Sequence, residues 1–213
     1  MVGIEKFDLD KDTKSVQIKY DRYSYFYDII PQIIMEKTSK EWRKSLLSDL
    51  KGEILEIGVG TGKNLEYYHK DAIVTGVDLS AKMLEKARIK QGNLKNNIKL
   101  IQMDAQQLKF LNNSYDYVVC TFLLCSVPDP VKAIKEMDRI CKKGGKILMI
   151  EHILSENILI AFFQHLHNPI TKTLFGFNVN RKTIENINKA GLAISKEINL
   201  KFADVFKRIE IEK

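Results

Sequence analysis

From residue 53 onward, short apolar runs of strand length alternate with amphipathic stretches of helix length. Glu53–Ile57, Ala72–Asp78, Asn97–Met103, Tyr115–Thr121 and Lys146–Glu151 read as buried strands, because their apolar residues fall largely on successive positions rather than on every second one. Helix formers resume after a glycine-rich turn at Gly58–Gly62, and Ser80 is placed to cap a second helix. A third helix, 131 to 142, follows Pro128 and Pro130 and is expected to stop at a C-cap formed by Lys142-Lys143-Gly144-Gly145. Beyond Arg181 come a helix ending near Ala190-Gly191 and two strands, 192 to 200 and 203 to 211. The turn between those strands is too short for a crossover, so they must be antiparallel neighbours. The pattern predicts a mainly parallel α/β sheet with one reversed strand and the ligand edge at the carboxyl ends of the strands.

The first fifty residues follow another pattern. Residues 1 to about 15 are polar and read as frayed. Tyr20 to Asp28 is dense in tyrosine and leads into Ile29, Ile30, Ile33 and Ile34 at helical spacing; an amphipathic helix then spans Ser39 to Leu50. The tyrosines fit either packing on the domain or a lid whose ring faces attract a cationic ligand. The expected organisation is an N-terminal helical lid segment, 1–50, and a domain, 51–213, with an acceptor-site insertion near 153–180.

Composition narrows the setting. A chain of 213 residues, 45% apolar and 29% charged, is most economically one folded domain. Its net charge of +7 is either a solvated lysine-rich surface or an affinity for anionic surfaces. Cys120, Cys125 and Cys141 form no Cys-x-x-Cys pair, and neither a disulfide framework nor a zinc site is expected. His165 and His167 lack grouped partners, so no metal is expected. With no signal-peptide core and no apolar run of spanning length, the sequence reads as cytoplasmic or peripheral at a membrane.

The chemistry is concentrated in Glu53–Asn64, where Glu56 precedes Gly58, Gly60 and Gly62. A dinucleotide fingerprint would place its third glycine at position 63, which is Lys63. A P-loop would need glycine at Ile57 and a hydroxyl at Asn64. Acidic residues instead close the next two strands, Asp78 and Asp104, and carboxylates at strand tips beside bare backbone suit a positively charged nucleoside. A glycine-rich turn that binds nothing is the alternative.

Together, Glu56-x-Gly58-x-Gly60-x-Gly62, Asp78, Asp104-Ala105, the Val118 to Pro128 stretch and Gly144-Gly145 resemble a class I S-adenosylmethionine (SAM)-dependent methyltransferase of the small-molecule type. Tyr20-Asp21-x-x-Ser24-x-x-Tyr27-Asp28 resembles the entry segment of quinone C-methyltransferases and soluble phosphatidylethanolamine N-methyltransferases. Val118 to Val127, Glu151-His152 and Asn178 to Arg181 are similar to the thiol-methylating, membrane-associated methyltransferase-like proteins. The resemblance implies a Rossmann-like seven-stranded sheet with one antiparallel strand in a three-layer α/β/α sandwich. It implies SAM as cofactor and S-adenosylhomocysteine as product, held by Tyr20, Tyr27, Glu56, Gly58, Gly60, Gly62, Asn64, Asp78, Leu79, Met83, Asp104, Ala105 and Thr121.

His152, just after the fifth strand, is the candidate to orient an acceptor or take its proton. The acceptor expected is a small or lipid-like molecule, with a thiol or phospholipid amine favoured; a quinone ring, or SAM binding at a lipid surface without turnover, are the alternatives. No Asn/Asp-Pro-Pro-Tyr/Phe follows the fourth strand and no RNA-binding module is appended, so nucleic acid is not expected as a partner. Ile153–Gly176 is rich in apolar and aromatic residues, fitting a greasy acceptor, a surface entering anionic headgroups, or a helix packed on its own domain.

Overall fold

The computed structural model of the chain describes residues 9–24, 36–94 and 96–213. In chain order the elements are α1 (Lys11–Tyr23), α2 (Glu36–Leu47), β1 (Gly52–Ile57), β2 (Ala72–Asp78), α3 (Ala81–Gln91), β3 (Asn97–Gln102), β4 (Tyr115–Thr121), α4 (Pro130–Ile140), β5 (Cys141–His152), α5 (Ile158–Leu174), α6 (Thr183–Lys189), β6 (Lys196–Lys201) and β7 (Phe206–Glu212). The strands form one seven-stranded sheet in the order β3-β2-β1-β4-β5-β7-β6. β7 runs antiparallel to both β5 and β6, while the other pairs are parallel. This is the Rossmann-like sheet with one reversed strand that the sequence predicts.

Successive strand residues feed opposite layers. Leu55, Val118, Ile147 and Met149 pack with Ala133, Ile134, Met137 and Ile140 of α4 and Ile187 of α6. Their neighbours Ile54, Val119, Leu148 and Ile150 pack with Leu46 and Leu47 of α2 and Leu84 and Ala87 of α3. Two cores, one on each face, require strands apolar at consecutive positions, which explains the uninterrupted runs. Ser80 caps α3, its Oγ accepting from Met83 N at 3.1 Å.

Three local expectations are corrected. Residues 11–15 are helical, because Asp10 caps α1 by accepting from Asp12 N and Thr13 N, both at 2.9 Å. The segment after the glycine turn makes only a 3-10 turn, Leu65–Tyr67, and no α-helix. Lys142–Gly145 is the start of β5 rather than a helix cap: Gly144 N donates to Lys213 O at 2.7 Å, and a Cβ on Gly145 would lie 2.7 Å from Asp116 O. Glycine is needed there because two backbones approach closely.

A candidate active-site cleft at the carboxyl edge of the sheet

β1 delivers the chain to Gly58, whose N–H and that of Val59 donate to Val77 O at 2.8 and 3.0 Å, locking the turn against β2. Gly58, Gly60 and Gly62 all have positive φ (+73°, +55° and +79°), a region that penalises other residues. Their surroundings differ. A Cβ on Gly58 would meet Leu123 at 2.7 Å and one on Gly62 would meet Leu65 at 2.9 Å, whereas Gly60 has nothing nearer than Gly58 O at 4.0 Å. Gly58 and Gly62 thus permit close packing, while Gly60 leaves bare backbone toward open space.

That space is an open-sided cleft between the tips of β1, β2, β3 and β4. Asp78, at the end of β2, lines it; its Oδ2 accepts from Gly60 N at 2.8 Å and Oδ1 from Ser80 N at 2.9 Å. Burial pushes the Asp78 carboxyl up to about 6, against the pull of those two N–H groups. Asp104, just beyond β3, lines the cleft as well and accepts from Gln106 N at 2.9 Å. Leu79, Met83, Ala105 and Thr121 complete the part of the lining that the sequence singles out, joined by Tyr20 from α1.

α1 is fastened across this side of the cleft. Gln17 donates to Leu79 O at 3.2 Å, Ser80 Oγ to Asp21 Oδ1, and Gln106 to Thr13 Oγ1 at 3.0 Å. These bonds place Thr13, Val16 and Tyr20 on the cleft wall. Tyr27, also predicted to bind the cofactor, lies outside the described residues.

Glu56, Gly62 and Asn64 stand behind the glycine turn rather than on the cleft lining. Glu56 is fully enclosed, accepting from Tyr68 Oη at 2.9 Å and Asn64 Nδ2 at 2.8 Å. Burial pushes its carboxyl up to about 7 despite those donors. Arg43 of α2 reaches the same cluster, donating to Asn64 Oδ1 and, at 3.0 Å, to Thr121 Oγ1. Its guanidinium lies 5.4 Å from the Phe122 ring centroid. Arg43 thereby links the underside of the turn to the cleft wall, a connection that no local sequence pattern announces.

The opposite wall is the loop after β4, where Phe122, Leu123, Ser126, Val127 and Pro128 face the cleft. Glu151 Oε1 holds it by accepting from Leu123 N at 2.8 Å and Leu124 N at 3.1 Å, and burial pushes its carboxyl up to about 7. Arg181 is half-buried and donates to Cys125 O and Val127 O at 3.1 and 3.0 Å. His152 stands one layer back from the cleft, among Phe122, Phe177 and Phe206, with ring centroids 6.4, 5.9 and 6.4 Å away. Burial, with help from the Arg181 charge, lowers His152 to about 4, so its ring is neutral at physiological pH. The cleft residues not singled out as site residues in the sequence come from α1, from the strand ends at Ile57, Val77 and Met103, and from this loop, which the sequence marks only as part of the Val118 to Pro128 resemblance.

The donor set fits a nucleoside carrying positive charge. Two carboxylates at adjacent strand tips offer acceptors, open backbone at Gly60 admits close approach, and Met83, Met103, Leu123 and Val127 supply apolar wall. Residues 55–149 match the family model described as "Methyltransferase domain". The phosphatidylethanolamine N-methyltransferase of Cereibacter sphaeroides is 42% identical over 103 residues, 47% of this chain and 51% of that protein. The demethylmenaquinone methyltransferase of Staphylococcus aureus is 37% identical over 140 residues, 62% of this chain and 58% of that one. The chain thus spans about half the length of the curated relatives it matches. Among solved structures, a SAM-dependent methyltransferase of Methanosarcina mazei superposes with a TM-score of 0.61 at 25% identity, over 79% of this chain and 95% of that one. Fold, cleft and matched segment agree: residues 55–149 are similar to a methyltransferase domain, on a sheet that superposes with that of a solved SAM-dependent methyltransferase.

Proposed function

We propose that the protein transfers the methyl group of SAM to a small or lipid-like acceptor, with a thiol or phospholipid amine favoured, and releases S-adenosylhomocysteine. The observation that carries this reading is the juxtaposition of open backbone at Gly60 with Asp78 and Asp104 over an apolar wall. SAM, when bound, supplies an electrophilic methyl on a sulfonium, and its transfer requires alignment and exclusion of water more than acid–base chemistry. In this reading Asp78 and Asp104 accept hydrogen bonds from hydroxyl and amino donors, while Leu79, Met83 and Ala105 enclose the base. Glu56, Asn64 and Arg43 act from behind, keeping the turn in its conformation. Tyr20 and Phe122 offer aromatic faces on opposite walls.

His152 is neutral and able to accept a proton, but a group titrating near 4 is a weak base. It suits an acceptor that arrives with little to lose, such as a thiol near its pKa, better than an ammonium. A quinone ring ranks after both. Peripheral contact with an anionic membrane belongs to the same reading, and no described helix is long and apolar enough to cross one.

The test is methyl transfer from labelled SAM to a panel of alkyl thiols, phosphatidylethanolamine vesicles and demethylated quinones. Label in one acceptor class is expected. Saturable SAM binding with no label in any class would overturn the enzymatic reading and leave a SAM-binding protein.

A further inference from the structure

α5 is inside out. At about 100° per residue, Ile160, Gln164, Asn168 and Thr171 fall on the half-buried inward face, and two of these are amides. Gln164 donates to Ile153 O and Val179 O, both at 2.8 Å, and accepts from Ser155 N at 2.8 Å. Asn168 accepts from Val179 N at 3.0 Å. The opposite face carries Ile158, Leu159, Phe162, Phe163, Leu166, Ile170 and Leu174, each 56% to 82% exposed. Seven large apolar side chains in one stripe exceed the patch that a monomer ordinarily leaves in water, roughly 300–600 Å².

The charge beside this face is acidic at its start, where Glu156 is exposed, and basic at its C-terminal end. Lys172 is the sole Asp, Glu, Lys or Arg within α5. At the C-terminal end of α5, Lys19 of α1 donates to Lys172 O at 2.9 Å, and Gly176 packs against the Lys19 side chain. The outer surface of α1 there carries Lys11, Lys14, Ile18, Lys19 and Arg22 around a shallow depression, with Asp12 and the N-cap Asp10 the exposed acidic residues at its start. At the other end, Asp204 ties the β6–β7 turn to the start of α5 by accepting from Ser155 Oγ and Glu156 N, and that turn exposes Phe202. The inner side of α1 supplies Thr13, Val16 and Tyr20 to the cleft.

We propose that the outer face of α5, with Phe202 at one end and the basic stripe of α1 at the other, is a docking surface for an anionic phospholipid bilayer. Apolar side chains enter the headgroup boundary while the flanking lysines and Arg22 meet lipid phosphates, the division of labour of an interfacial helix. The function proposed above gives this surface a purpose, since α1 would bring the cleft beside the membrane where a lipid-like acceptor resides. A second copy seated face to face would cover the apolar stripe but leave the basic stripe uncompensated.

The test is flotation of the full chain with vesicles of phosphatidylcholine alone or with a third of phosphatidylglycerol, read alongside calorimetry with SAM. Anionic vesicles are expected to bind at least ~10-fold better than neutral ones. The combined variant Phe162→Gln, Phe163→Gln, Leu166→Gln should lose about 10-fold or more of that binding while keeping the thermal midpoint and the SAM isotherm of the wild type. Lys11→Glu with Lys14→Glu should abolish the preference for anionic over neutral vesicles. Absence of flotation, flotation indifferent to both variants, or self-association lost in the triple variant without lipid binding would each overturn the proposal. Vesicle binding with no methyl transfer would leave the surface standing and sink only the enzymatic reading.

Discussion

α4 and α5 are both helices that follow a strand of the same sheet, yet they solve opposite problems. α4 turns Ala133, Ile134, Met137 and Ile140 inward, all fully buried, and leaves its charges to solvent. α5 turns amides inward and buries none of its large apolar side chains. One helix is held by the hydrophobic effect and the other by hydrogen bonds to loop backbone. The contrast shows that apolar content does not reveal which side of a helix faces water.

Mutations on the two helices should therefore diverge. Ile134→Ala removes fully buried methyl groups and is expected to cost about 2–5 kcal/mol in chemical unfolding, whereas Leu166→Gln should move stability by less than about 0.5 kcal/mol. Equal costs would mean that the outer face of α5 is buried in solution. Gln164→Leu strands two carbonyls and one N–H, so a loss of about 1–3 kcal/mol is expected, with faster amide exchange in α5 before the sheet. Unchanged exchange there would show that α5 is held by something other than those bonds.

Acid pH separates the cleft from the fold that carries it. Asp78, Glu56 and Glu151 have folded pKa values raised by burial to about 6, 7 and 7, above those of the unfolded chain. The folded state then binds more protons than the unfolded one, so this contribution to stability is full below about pH 4 and is lost as pH rises through 6 to 7. Lowering pH from 8 to 6 should raise the thermal midpoint of the free protein while weakening SAM binding, as Asp78 loses its charge. Parallel trends would contradict the assignment of Asp78. The smallest effect is expected at His152: His152→Ala should lower turnover more than SAM affinity, and unchanged turnover would assign the ring to packing among Phe122, Phe177 and Phe206.

Much of this was legible in the residues because it depends on local chemistry. Strands buried on both faces must be apolar at consecutive positions, and Asp78 and Asp104 announce where two of them reach the ligand edge. The start of α1 was not legible, since Thr13 and Gln17 on its inward side are polar and dock through hydrogen bonds that periodicity does not register, whereas Tyr20 was singled out. Gly144-Gly145 misled because a close backbone crossing and a helix cap both call for glycine. Arg43 and Arg181 act on residues far away in the chain, Thr121 and Val127, and only folding reveals such pairings.

The most direct measurement is calorimetric titration of SAM and of S-adenosylhomocysteine into the pure protein and its Asp78→Asn variant. A saturable signal with both compounds, weakened at least ~10-fold in the variant, is what carboxylate recognition at the tip of β2 requires. No heat with either compound, or equal affinity in wild type and variant, would contradict it.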